Sequence, residues 1–255
     1  KKDLREGSRL HAEIVKQGLF EKIPHIASSL INMYGKCDAI PEAEDVFLRC
    51  PNHVRNVVCW NAMLSAYVEH GLVMKAFQVF RQMQAECLYC DARTFVISLQ
   101  ACCILARNED SDTLDIQSFS RVIIALEIGR GLHADLKKKN TTFDIYMNNV
   151  LVSMYAKCGS CEDARKVFNS LPQRKIVSWN AVMTGHIQCG QPEEALSLFQ
   201  NMQQECLKPD KITFMNVFKA CGSLGYLSQA KEMDILNNDC VNSPYIETTF
   251  NYACT

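Results

Sequence analysis

The sequence predicts an all-α solenoid of stacked helical hairpins, and two observations carry that prediction. The first is an internal echo. VVCWNAMLSAYVEHGLVMKAFQVFRQMQAECLYCD at 57–91 returns as IVSWNAVMTGHIQCGQPEEALSLFQNMQQECLKPD at 176–210, so Trp60-Asn61-Ala62 meets Trp179-Asn180-Ala181 119 positions later. A fixed internal period is the signature of a repeat architecture. The second is the apolar spacing i, i+3, i+4, i+7, which marks one buried face of a helix. It occurs in Ala76, Val79, Phe80, Met83, in Ala195, Leu198, Phe199, Met202 and in Ala164, Val167, Phe168, Leu171, and in shorter form in Ala43, Val46, Phe47.

Each striped helix follows another apolar helix: SSLINMY at 28–34, WNAMLSAY at 60–67, NVLVSMY at 149–155 and WNAVMTGH at 179–186. Between the two stands Gly71, Gly159 or Gly190, the residue favoured in the left-handed position that ends a helix. Asp38 holds that place in the first hairpin, at some conformational cost. A hairpin of about 31 to 36 residues cannot bury its apolar face alone, so neighbours must stack.

A second register interleaves with the first. GSRLHA at 7–12 matches GRGLHA at 129–134, and SSLINMY at 28–34 matches NVLVSMY at 149–155. Three unlike units therefore alternate. Three such units should total about 102 residues, whereas the offsets run from 119 to 122. The excess lies near residues 107–124, which we expect to form a loop or an ill-fitting extra helix. The expected units are a partial one at 1–22, then 23–56, 57–91, 92–144 with the insert, 145–175, 176–210, and a degenerate unit with a weakly ordered tail at 211–255.

Composition narrows the function. At 255 residues and 48 % hydrophobic the chain can bury a large core. No apolar run reaches the roughly 18 residues of a membrane span. A net charge of −1 gives no basic footprint for non-specific nucleic-acid binding. The start at Lys1, in mid-repeat and without an initiator Met, reads as a fragment. The 14 cysteines follow the repeat, Cys37 with Cys158, Cys87 with Cys206 and Cys102 with Cys221. Aligned cysteines sit on different units, so we expect free, buried thiols of a reducing compartment.

The roughly 35-residue hairpins, the VVxWNAM openings and the A-x3-F-x2-M second helices resemble pentatricopeptide repeats. The three alternating unit types, with MYAKCG at 154–159 and EDARKVF at 162–168, resemble the plant PLS subclass. That resemblance implies a right-handed superhelix that binds single-stranded RNA in a mitochondrion or chloroplast, one base per repeat. The expected task is site recognition for C-to-U RNA editing or other RNA processing. A deaminase-like domain, in cis or supplied by a partner, would do the zinc chemistry, so this chain is expected to have no catalytic activity, cofactor or membrane partner. In the family the fifth residue of the first helix and the last residue of the unit read the base, which agrees with the way helical repeats read unstacked base edges.

Carried over residue by residue, Ser28 and Asn56 suggest adenine, and Asn61 and Asp91 suggest uracil. Val96 with Asp144 is unreadable. Asn149 with Lys175 retains a pyrimidine preference, Asn180 with Asp210 suggests uracil again, and Met215 is unreadable. Val58 and Val177, second in their units, would flank the bases. The expected target is 5′-A-U-n-(C/U)-U-3′, bound weakly and in a salt-sensitive manner.

Competing readings are weaker. Trp60 and Trp179 adjoin the reading position but should point into the core rather than stack on bases. Cys87-x-x-Cys90 and Cys158-x-x-Cys161 imitate a zinc site, yet one cysteine of each pair has no counterpart in the other copy. His11-Ala-Glu13 imitates a deaminase H-x-E, but lacks a Pro-Cys-x-x-Cys partner and returns as His133-Ala-Asp135. A tetratricopeptide-like protein-binding scaffold shares the A-x3-F spacing, but its W-x2-L-G-x2-Y opening is absent.

Overall fold

The computed structural model describes residues 4–20, 23–107, 116–138 and 145–225. Among them are twelve α-helices and no strand. The described helices fall into two units. The first holds α1 (Leu4–Lys16), α2 (Pro24–Lys36), α3 (Ile40–Arg49), α4 (Val57–Glu69), α5 (Val73–Ala85), α6 (Ala92–Leu105) and α7 (Ile116–Lys138). The second holds α8 (Ile145–Lys157), α9 (Cys161–Asn169), α10 (Ile176–Gln188), α11 (Pro192–Gln204) and α12 (Lys211–Ser223). No helix among the described residues is long and apolar enough to cross a membrane.

The hairpins are α2/α3, α4/α5, α6/α7, α8/α9 and α10/α11, each packed face to face. Their turns obey the expected backbone rule. Gly71, Gly159 and Gly190 have φ of 69°, 73° and 70°, and Asp38 has φ 60°. Each closes a Schellman motif: Gly71 N donates to Val68 O at 3.1 Å and Leu72 N to Tyr67 O at 2.9 Å. Cys87 and Cys206 adopt the same left-handed conformation, at φ 55° and 57°, where one hairpin ends and the next begins.

First helices pack on first helices, α4 between α2 and α6, and α10 between α8 and α12. Within each unit second helices also lean on the first helix that follows: α3 on α4 and α5 on α6, α9 on α10 and α11 on α12. There Phe47 meets Trp60 edge-on at 4.8 Å, and Phe168 meets Trp179 at 4.7 Å. Arg55 covers the first pair, 5.2 Å from the Phe47 ring, and Arg174 lies 5.1 Å from the Phe168 ring. Both tryptophans are buried, so they are core residues rather than exposed platforms.

The cysteine expectation needs one correction. Cys161 and Cys189 form a disulfide, with Cα atoms 6.6 Å apart. The sequence argument compared cysteines at equivalent places, which indeed lie on different hairpins. These two occupy unlike places: Cys161 opens α9 and Cys189 caps α10. Stacking of α9 on α10 brings those places within disulfide reach. Burial pushes the thiol of Cys50, which lies outside this bridge, up to about 11, with the neighbouring Cys59 adding to the shift.

Residues 116–124, within the expected insert, are the opening of α7, while 108–115 lie outside the described residues. So do Asp144 and the tail expected to be weakly ordered, 237–255.

Candidate nucleic-acid interface

Within each unit the side-by-side first helices form the surface on which its candidate reading residues sit. Their second-position residues are its exposed apolar rim: Val58, Tyr146, Val177 and Ile212 are between 45 % and 61 % exposed. Sequence reasoning named only the two valines. Tyr146 and Ile212 share their register, and the signal that finds them is exposure of a large apolar group one turn before an inward-facing position.

Behind that rim two hydrogen-bond clusters repeat almost atom for atom. In the first unit Asn61, only 3 % exposed, donates from Nδ2 to Asp91 Oδ1 at 3.1 Å. Thr94 Oγ1 lies 2.8 Å from Asn61 Oδ1 and 2.8 Å from Asp91 Oδ1. The Thr94 N–H also donates to Asp91 Oδ1 at 2.8 Å, so Asp91 is the N-cap of α6. In the second unit Asn180, 5 % exposed, donates to Asp210 Oδ1 at 2.9 Å. Thr213 Oγ1 lies 2.8 Å from Asn180 Oδ1, and Thr213 N donates to Asp210 Oδ1 at 2.8 Å. Asp210 N donates to Thr213 Oγ1 at 3.2 Å, completing a capping box at α12.

These bonds set the charge of the site. Burial pushes the Asp91 carboxyl up, but the bonds donated by the Thr94 N–H and Asn61, with the nearby Arg93 charge, outweigh it and hold the group below its ordinary value. Asp210 behaves alike: burial raises it, and donors from Thr213, Asn180 and the Ile212 backbone leave it lowered. Each aspartate is an acceptor-only carboxylate at neutral pH.

The other two candidate pairs are not joined. Ser28 is buried and its Oγ donates back to His25 O at 3.0 Å. Asn56 instead caps α4, accepting from Val58 N at 3.0 Å and Cys59 N at 3.2 Å. Lys175 precedes α10 with no side-chain cap and is exposed. Near that helix start, Asn149 Oδ1 and Ser178 Oγ are buried with no hydrogen-bond partner. Val96 is buried in α6, and Met215 is half-buried in α12. His11 hydrogen-bonds Tyr34 Oη through Nδ1 at 2.9 Å, and Glu13 accepts from Gln17, so the H-x-E triplet serves helix packing and a surface contact.

Comparison with known proteins fits this repeat geometry. The sequence pattern of the PPR repeat family matches residues 55–104 and 174–223, and that of the single PPR repeat matches 26–52 and 149–176. The chain belongs to the pentatricopeptide repeat family. A pentatricopeptide repeat-containing protein of Arabidopsis thaliana is 34 % identical over 252 residues, covering 98 % of this chain and 23 % of that protein. A second Arabidopsis relative, described as chloroplastic/mitochondrial, is 31 % identical over 255 residues, covering 98 % of this chain and 36 % of its own length. The chain thus spans well under half of these curated relatives. Among solved structures, the pentatricopeptide repeat protein PPR10 in complex with an 18-nt psaJ RNA element superposes with a TM-score of 0.50 at 17 % identity, over 96 % of this chain and 39 % of that one. That likeness concerns the fold.

Proposed function

We propose that this chain is a sequence-reading array for single-stranded RNA, one base per hairpin, within an organellar protein of the PLS type. The observation that carries the reading is the repeated Asn–Asp pair, Asn61–Asp91 and Asn180–Asp210, each behind an exposed valine. An unstacked base set against Val58 or Val177 would present its Watson–Crick edge to the pair. PPR10, which shares the fold, was solved in complex with RNA, and relatives described as mitochondrial or chloroplastic support an organellar setting.

The array's proposed target is 5′-A-U-n-(C/U)-U-3′, with Ser28–Asn56 at the first base and Asn149–Lys175 at the fourth. Its proposed task is site recognition on a transcript for C-to-U editing or other RNA processing, with any deamination done by a deaminase-like domain in cis or from a partner and no chemistry in this chain. The A and C/U positions rest on less than the two uracils, since neither pair is hydrogen-bonded together.

Selection of bound sequences from a random RNA pool tests this. Enrichment of U at two positions separated by two nucleotides is the expected result. Recovery of RNA without that spacing, or retention of a peptide in place of RNA, would sink the reading.

A further inference from the structure

Asn61 and Asp91 do not by themselves define which base edge they match. A side-chain amide carries a donor at one end and an acceptor at the other, and it can flip. Uracil offers an acceptor at O4 beside a donor at N3–H, whereas cytosine offers the opposite order. A flipped asparagine would therefore turn its oxygen to uracil's O4 and favour cytosine's amino group at that contact. Something must fix the amide.

We infer that Thr94 and Thr213 are positioning residues that lock the two asparagines in the uracil-reading orientation. The inference rests on the RNA-reading function proposed above. Thr94 Oγ1 stands 2.8 Å from Asn61 Oδ1, and Thr213 Oγ1 2.8 Å from Asn180 Oδ1, both fully within the protein. Each hydroxyl has one proton and two acceptors in reach; the aspartate Oδ1 already accepts from the backbone N–H and from the asparagine Nδ2, so the proton goes to the amide oxygen, which no other donor reaches among the described residues. The ionised aspartate, which only accepts, holds the opposite, Nδ2 end. The amide is thus clamped from both ends. One N–H of Asn61 and the second oxygen of Asp91 remain for a ligand, in the order donor then acceptor. Uracil matches that order through O4 and N3–H. Cytosine would set an amino group against the amide N–H and a bare ring nitrogen against the carboxylate.

The remaining hairpins lack the clamp. The residue at the Thr94 place is Cys59 beyond Asn56 and Ser178 beyond Lys175. Ser178 has the hydroxyl, but Asn149 Oδ1 and Ser178 Oγ both stay unpartnered, in the one hairpin of this set whose last residue is not an acceptor. The aspartate and the threonine act together: without the carboxylate to gather both, the hydroxyl does not reach the amide.

The test measures dissociation constants of the 255-residue chain for short RNAs carrying U or C opposite Asn61, and separately opposite Asn180. Thr94→Val removes the hydroxyl at nearly constant shape, and Thr94→Ser keeps it. Loss of one such bond should shrink the U-over-C ratio at the Asn61 site by about threefold to tenfold, with the ratio at the Asn180 site unchanged and Thr94→Ser near wild type. Thr213→Val should give the mirror result, which keeps the test alive if one variant fails to fold. An unchanged ratio in either folded valine variant overturns the inference, as does an equal loss at both sites or in Thr94→Ser. If the unmodified chain shows no U preference at either site, the base-reading function fails first, and the clamp fails with it.

Discussion

The two copies of the hairpin cycle, residues 24–94 and 145–213, are most alike around the Asn–Asp–Thr clusters and least alike where hairpins are tied to each other. In the first copy the turn after α2 is linked to the end of α4 by Asp38 and His70, whose Nε2 lies 3.0 Å from Asp38 Oδ1 while Nδ1 meets Ala66 O. In the second, the same junction carries the Cys161–Cys189 disulfide. The close approach of first helices is also solved twice. Gly35 on α2 faces Ala66 on α4, and in the later copy Ala156 on α8 faces Gly185 on α10. The glycine has changed sides. Packing asks only that one partner lack a side chain, so either may supply it. The polar clusters allow no such exchange, because donor and acceptor order would be lost. What varies between copies is therefore what stacking can satisfy in several ways.

The largest contrast should come from the covalent tie. Closing a loop over a sequence separation of 28 stabilises by about 3–4 kcal/mol in the chain-entropy account. Denaturant unfolding of the oxidised chain with and without a reductant should differ by that order. The exposed His70–Asp38 pair should contribute at most about 1 kcal/mol, read from His70→Ala. Equal midpoints for oxidised and reduced protein, with two thiols shown by alkylation to have been released, would refute a stabilising bridge.

The glycine exchange comes next. A Cβ on Gly185 would stand 2.7 Å from Ala156 Cβ, and one on Gly35 would stand 3.0 Å from Ala66 Cβ. Overpacking of this kind costs about 1–3 kcal/mol, while Gly→Ala in a helix returns about 1 kcal/mol of propensity. Gly185→Ala should thus destabilise by about 1–2 kcal/mol, and Gly35→Ala by less. Adding Ala156→Gly to Gly185→Ala rebuilds the first copy's arrangement and should restore most of the loss. A double-mutant cycle by urea unfolding measures the coupling; additive effects would mean the helices do not touch there.

Acid should reveal what the copies share. Asp91 and Asp210 have folded-state values below the ordinary carboxylate. Their contribution is complete above the unfolded value and is lost as pH falls through the lower folded one. Stability should therefore decline on the acid side of about pH 4, and Asp91→Asn with Asp210→Asn should flatten that decline by similar amounts. A steeper decline in either variant contradicts the sign. The effect should be smaller than that of the glycine exchange.

These contrasts also show which parts of the molecule a sequence makes legible. The helices and the left-handed turns at Gly71, Gly159, Gly190 and Asp38 follow from local periodicity and backbone sterics, and a reader of the chain can find them. The Asn–Asp pairs are legible because they repeat. Their third members are not: Thr94 and Thr213 lie 33 residues from the amide they touch, on the next hairpin, where they look like ordinary helix-start residues. The disulfide is hidden for a related reason. It joins places that are not equivalent in the repeat, so alignment of copies steers attention away from it. Tyr146 and Ile212 were missed because their role depends on exposure, which periodicity does not report.

The smallest expected effect lies where the copies agree on an unfavourable choice. Cys87 and Cys206 each take a left-handed backbone at the junction after α5 and after α11. A residue with a Cβ pays about 1–2 kcal/mol there, and glycine avoids that strain but loses about 0.5–1 kcal/mol of chain entropy on folding. Cys87→Gly and Cys206→Gly should each stabilise by about 0.5–1 kcal/mol, by urea unfolding under reducing conditions. Both thiols are exposed and free, so little packing is lost to confuse the result. Because the turn is closed by the same two backbone bonds in both copies, from Cys87 N and Leu88 N and from Cys206 N and Leu207 N, the two gains should be equal. A clear inequality would mean that one junction holds its sulfur for a purpose the other does not share.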